Sequence, residues 1–314
     1  MTNPLLATPA FASKALLIRP VGFKKNTQTL RDNQFQSTTV THEPQIAERA
    51  LKEFENLRTQ LTEFGVECFV FDPENSEATP DAVFPNNWIS FHQESDSQEK
   101  EIFIYPMLAE NRRQERSLEI VEAIKQKYGP YKLIDLSHLE ERNQFLEGTG
   151  SLVLDRPRKK AYACLSERTS ITALDEFKKI SGFQCLSFEA FDLDQKPIYH
   201  TNVIMSLGLS CAIYAEDCIR DELERSLVRK HLRADFSSHI LLDWDQVKNF
   251  CGNIILLSNQ IGDRAWFMST RAADSFTPAQ KSILERDGKI VATNIESIET
   301  HGGGSVRCMI AEIF

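Results

Sequence analysis

The sequence predicts an α/β protein built from five ββαβ-type units around a pseudo-fivefold axis. An amphipathic helix followed by a short apolar strand recurs five times along the 314 residues. Five short segments of shared outline, PNNWISF, EGTGSLVLD, HTNVIMSLG, CGNIILLSN and GGGSVRC, each lead from polar or glycine-rich residues into an apolar strand. Anchored on Asn87, Gly150, Asn202, Asn253 and Gly304 they are spaced by 63, 52, 51 and 51 residues, a period that marks a repeated supersecondary unit.

In chain order, KALLIRPVGF reads as a strand ending at a turn, and THEPQIAERALKEFENLRTQLTEFG as a long amphipathic helix stopped by Gly65. The strand VECFVFDP completes that unit. The same alternation follows in SLEIVEAIKQKYG with YKLIDLS, ITALDEFKKISG with FQCLSFEAF, DELERSLVRKHLRAD with HILLDWD, and PAQKSILERDG with KIVATNIESI. The segments KEIFIYPML, KAYACLSE, SCAIYAED and RAWFMST supply the second arms of hairpins, and MIAEIF reads as a buried closing strand. The N-terminal strand is expected to close the ring against the fifth unit. Glu94 to Glu101 is charged and reads as a solvated hairpin loop. No Pro-, Gly- or Ser-rich linker divides the chain, so residues 1–314 are expected to form a single catalytic domain.

Composition narrows the partners. Forty-five acidic residues against 36 basic give a formal charge of -9, with no basic cluster, which argues against nucleic acid. No apolar run approaches a membrane span, and the first residues have neither a basic leader nor a long apolar segment. A cytoplasmic protein with a small-molecule substrate is expected, and association into a homo-oligomer stays open. Seven scattered cysteines, at 68, 164, 185, 211, 218, 251 and 308, fit neither a disulfide framework nor a metal knuckle and read as reduced thiols.

The five lead-ins carry the chemistry. If they converge, they bring together Asp81, Asn86, Asn87, Glu147, His200, Asn202, Cys251, Asn253 and Cys308. Cys308 is a nucleophile that needs to be a thiolate, His200 an acid or base near neutral pH, and Glu147 a carboxylate to orient that imidazole. Such a set attacks a planar electrophilic carbon. Arg307 or a cationic substrate would favour the thiolate, and Gly302 to Gly304 would let backbone amides approach a bound group closely. Each residue also has a structural reading by itself: Glu147 as a turn carboxylate, His200 as a strand-end histidine, Asp81 as a turn former after Pro80. No metal or other cofactor is expected, because the spacings are not those of a ligand set.

PDAVFPNNW, EGTGSLVLDR and LSERT resemble segments of dimethylarginine dimethylaminohydrolases, and GGGSVRCM resembles the cysteine loop of arginine and agmatine deiminases. These belong to the guanidine-modifying enzymes of the pentein fold, a five-bladed α/β propeller, and the resemblance covers most of the chain. It is most similar to the amidinotransferase-like citrulline-utilisation hydrolases. The resemblance implies Cys308 as covalent nucleophile, His200 as general acid/base and Glu147 as their carboxylate. It further implies Arg112 and Arg168 as a grip on the substrate α-carboxylate, Asp81 as a contact to the α-amino group, and Phe84 as a wall of the side-chain channel.

The chain departs from those relatives at Asn87 and Asn202, where enzymes acting on guanidinium groups usually place carboxylates. A buried guanidinium without a partner charge is costly, whereas an amide matches the donor and acceptor edge of a neutral ureido group. Citrulline, cleaved to ornithine, carbon dioxide and ammonia, is therefore the expected substrate. An arginine or methylarginine hydrolase of the deiminase type, an amidinotransferase, and a non-catalytic binding module on the same fold are the rival readings.

Overall fold

The computed structural model describes residues 10–36, 43–73, 76–93 and 99–314. Most of the loop expected after Gln93 thus lies outside the described residues, which form five three-stranded sheets. Four consist of Ile89–Gln93, Lys100–Ile104 and Lys132–Asp135; Leu152–Asp155, Lys160–Leu165 and Gln184–Glu189; Met205–Leu207, Cys211–Tyr214 and Ser238–Leu241; and Ile255–Ser258, Arg264–Ser269 and Lys289–Thr293. The fifth joins the chain ends. Its inner strand Ala311–Ile313 pairs antiparallel with Lys14–Ile18, Leu16 opposite Ala311, and Glu67–Phe71 adds on in parallel.

One topology repeats in every sheet: an inner strand antiparallel to a middle strand, then an outer strand parallel to the middle one. Parallel neighbours need a crossover, and each crossover contains one of the helices read from the sequence, Glu43–Phe64, Leu118–Tyr128, Ile171–Ser181, Glu222–Asp235 or Pro278–Asp287. Their starts are fixed locally. Ser117, Ser170, Asp221 and Thr277 each accept a backbone N–H from the first turn, satisfying donors the helix itself cannot. The first helix buries Ile46, Ala50, Phe54, Leu57 and Leu61, the i, i+4 and i+3 stripe that faces a sheet. The inner strands pack on one another, Ala311–Ile313 against Ile89–Gln93 and Leu152–Asp155 against Met205–Leu207.

The polar lead-ins fold as single helical turns over Pro85–Asn87, Gly148–Ser151 and Thr201–Val203. The closing strand is shorter than MIAEIF, because Cys308 and Met309 both donate to the Ser305 carbonyl and curl Ser305–Met309 into a turn. Among the described residues no helix is long and apolar enough to cross a membrane.

Candidate active site

Cys308 sits in that last turn, 3% exposed, six residues beyond a helix, Glu296–Gly302, whose start was expected to be the tail of a strand. Two carboxamides donate to its sulfur: Asn202 Nδ2 at 3.3 Å and Asn253 Nδ2 at 3.2 Å. Asn253 also fixes the turn, since its Oδ1 accepts from the backbone N–H of Ser305 at 3.2 Å and of Cys308 at 3.4 Å, and its Nδ2 reaches the Asn202 carbonyl at 3.0 Å. It holds the backbone and the sulfur of Cys308 at once. Arg307 does not take the expected place beside the sulfur: its guanidinium donates to the Ile310 carbonyl and to Glu312. Cys251 is likewise turned away, donating to the Ala272 carbonyl in the core, and burial pushes its thiol up to about 12. None of the seven cysteines is disulfide-bonded.

His200 Nε2 lies 2.8 Å from Glu147 Oε2, and both side chains are buried. Burial by itself would raise the Glu147 carboxyl. Arg168, the bond to His200 and Arg112 outweigh it and hold the group down at about 2, so it is ionised at neutral pH. Burial lowers His200 below its ordinary value despite the carboxylate, so the ring is neutral there. An ionised carboxylate only accepts, which puts the ring proton on Nε2 and leaves Nδ1 as the acceptor. Glu147 Oε1 accepts from the Leu108 backbone at 3.1 Å, which completes its orientation.

The other expected residues lie around this centre. Asn87 accepts from Arg112 Nη1 at 2.7 Å and donates to Asn86 Oδ1 at 2.9 Å. Gly150 separates it from His200: a Cβ there would come within 2.5 Å of Asn87 Nδ2 and 2.7 Å of His200 Nδ1. Arg112 is bidentate to Glu115 at 2.9 Å and 2.9 Å, and Nη2 reaches the Phe84 carbonyl at 3.4 Å, so most of its fork is used inside the protein. Asp81 accepts from Asn26 at 2.8 Å through Oδ2, while its buried Oδ1 has no partner among the described residues; burial raises its pKa above the ordinary value. Asn202 Oδ1 is buried and unpartnered too. Phe84 packs against the glycine run, where a Cβ on Gly302 or Gly304 would come within 2.7 Å or 2.9 Å of its ring, and Gly303 caps the helix at φ 67°. The three glycines therefore make room for an aromatic wall and a helix end.

A strap over residues 26–36, missed in the sequence, is bonded to several of these groups. Its Asn33 and Gln36 side chains donate to the carbonyls of Gly302 at 3.2 Å and His301 at 2.7 Å, and Asp32 pairs with Arg168 at 2.6 and 2.8 Å. Below it Tyr199 donates to the Gly303 carbonyl at 2.6 Å, with its ring against the Arg168 guanidinium, 4.8 Å away. The available signal was a polar run, NTQTLRDNQFQ, lacking helix or strand periodicity between two clear elements.

With Cys308, the His200–Glu147 pair and two buried arginines gathered at one centre, comparison with known proteins is informative. The family model for N,N dimethylarginine dimethylhydrolase, eukaryotic, matches residues 19–314. No curated protein matches the sequence. Among solved structures, the N-terminal domain of ArgZ, an arginine dihydrolase from the ornithine-ammonia cycle in cyanobacteria, is similar in its substrate-bound mutant form. That match has a TM-score of 0.72 and 16% identity over 96% of this chain and 98% of that one. Unliganded AgrE matches with a TM-score of 0.72 and 16% identity over 95% of this chain and 39% of its own. A dimethylarginine dimethylaminohydrolase adduct with 4-chloro-2-hydroxymethylpyridine matches with a TM-score of 0.64 and 17% identity, over 96% and 99%. The chain belongs to the N,N dimethylarginine dimethylhydrolase family, within the guanidine-modifying pentein superfamily.

Proposed function

We propose that this protein is a cysteine-dependent hydrolase of a free amino acid carrying a ureido group, citrulline, and that its five sheets act as the blades of one ring-shaped catalytic domain. The single observation that carries the ureido preference is the surrounding of Cys308: two carboxamides hydrogen-bond the sulfur, and among the described residues no carboxylate does. Neutral donors beside the reacting carbon suit a neutral substrate, and the unpartnered Asn202 Oδ1 awaits an N–H.

Cys308 attacks the ureido carbon while His200 Nδ1 takes the thiol proton. The tetrahedral adduct collapses with cleavage of the bond to the side-chain nitrogen, His200 returns the proton to that nitrogen, and ornithine leaves. A carbamoyl group remains on sulfur. Water, deprotonated by His200, attacks its carbonyl and expels the thiolate, and the carbamic acid released breaks down to ammonia and carbon dioxide. Asn202 and Asn253 stabilise the thiolate before attack and again as it leaves. Arg168 takes the α-carboxylate and the free Asp81 Oδ1 the α-ammonium, with Arg112 holding Asn87, Glu115 and the Phe84 wall in place.

Product analysis on citrulline and arginine side by side, with Cys308→Ala as control, is the test. Ornithine and ammonia from citrulline, slow turnover of arginine and no turnover by Cys308→Ala are expected; rapid conversion of arginine would defeat the ureido assignment. Arginine or a methylarginine is the second reading. It draws on the family description and on the arginine dihydrolase activity of the ArgZ relative, and the ionised Glu147 supplies a negative charge that a guanidinium would need.

A further inference from the structure

Arg168 already holds a carboxylate. Its Nε and Nη2 donate to the two oxygens of Asp32 at 2.6 and 2.8 Å, a two-point fork, while Nη1 lies 3.5 Å from Glu147 Oε2. The Arg168 side chain is 3% exposed and that of Asp32 16%. Asp32 belongs to the strap whose Asn33 and Gln36 side chains donate to the carbonyls of Gly302 and His301, just before the Cys308 turn.

We infer that Asp32 is an internal stand-in for the substrate's α-carboxylate, filling the Arg168 fork while the site is empty and exchanging for the carboxylate of an incoming free α-amino acid. The inference rests on the amino-acid reading of the site given above. Leaving the Nε–Nη2 edge of a buried guanidinium without an acceptor is costly, so the empty site needs one there, and Asp32 supplies a carboxylate of the same geometry as the ligand. Exchange of one carboxylate for another leaves the charge facing the Arg168 fork unchanged. The neighbouring Asp81 points the same way: Asn26 of the strap holds its Oδ2, and its unpartnered Oδ1 remains as the acceptor for an ammonium. The tip of the strap is lightly held at this point, since the adjacent Arg31–Glu167 pair is more than half exposed on both sides.

An exchange of this kind reduces apparent affinity by the fraction of molecules in which the fork is free. Asp32→Asn removes the competing charge. It should lower KM for citrulline roughly tenfold, by more than any change in kcat, and tighten ornithine binding by a similar factor, while leaving KM for the α-decarboxylated ureido amine unaltered. Asp32→Ala should act in the same direction, and melting curves establish that both variants fold. In the wild-type protein, hydrogen exchange at residues 31–34 should speed up when ornithine binds. Unchanged or weaker ornithine binding in both variants, or slower exchange on binding, would overturn the inference and make Asp32 a fixed structural partner of Arg168. Ornithine binding, measured by calorimetry in a Cys308→Ser background, needs no turnover. Failure of the hydrolase reading, seen as no ornithine released from citrulline by the wild-type protein, therefore reads separately from failure of the exchange.

Discussion

Asn253 carries more of the environment of Cys308, the proposed nucleophile, than any other side chain, because one carboxamide binds both the sulfur and the turn that presents it. Asn253→Ala should lower kcat/KM by about a hundredfold or more, the scale found when one donor to a developing charge is removed. Asn253→Asp should do worse, since a second acceptor would face the sulfur. Iodoacetamide alkylation rates at fixed pH give the check: unaltered alkylation in Asn253→Ala would mean the amide does not support the thiolate. The His200 ring gives a pH signature. Burial holds it below the ordinary imidazole value, so the neutral ring that accepts the thiol proton persists as pH falls through 6.5. The acid limb of kcat/KM should therefore lie below pH 6.5. A limb at higher pH would assign that titration to another group.

At the level of elements, the single helical turns at the head of the inner strands aim the chemistry. They bring Asn87, Glu147 and Asn202 to the same end of their sheets, and Gly150 lets the first two turns approach. Gly150→Ala places a methyl between Asn87 and His200, both buried. The expected outcome is a loss of kcat of roughly a hundredfold, the scale of a misplaced catalytic group, with melting nearly unchanged. A steep fall in melting temperature at full activity would show that backbone had moved instead. The repeat period was legible because each unit must bury the same helix face against the same kind of sheet. The helical turns were not, because three or four residues rich in Asn, Gly and Thr carry no periodicity and their fold is fixed by i to i+3 bonds and by neighbours from other units.

The whole molecule ties its two ends together, with Leu16 paired to Ala311 and fully buried. The strand carrying the residues just after Cys308 is therefore held by the first strand of the chain. Leu16→Ala should cost about 2–5 kcal/mol, as a cavity in a packed core does. Calorimetry should show one cooperative transition at a lower temperature, with activity lost in parallel. Two separated transitions would mean that the units unfold independently and would count against a single domain.

The sequence by itself determined the mixed α/β class, the five repeated units and the five crossover helices, and it singled out Cys308, His200 and Glu147 as the candidate residues. Hydrophobic periodicity and helix capping are local, and a repeat multiplies the signal. Only the tertiary structure decided the partners: that Arg307 turns from the sulfur and Asn253 toward it, that Arg112 is spent on Glu115 and Asn87, and that a polar strap places Asp32 on Arg168. Those choices depend on which buried donor meets which acceptor across units tens to hundreds of residues apart, and no local pattern in the chain encodes that pairing.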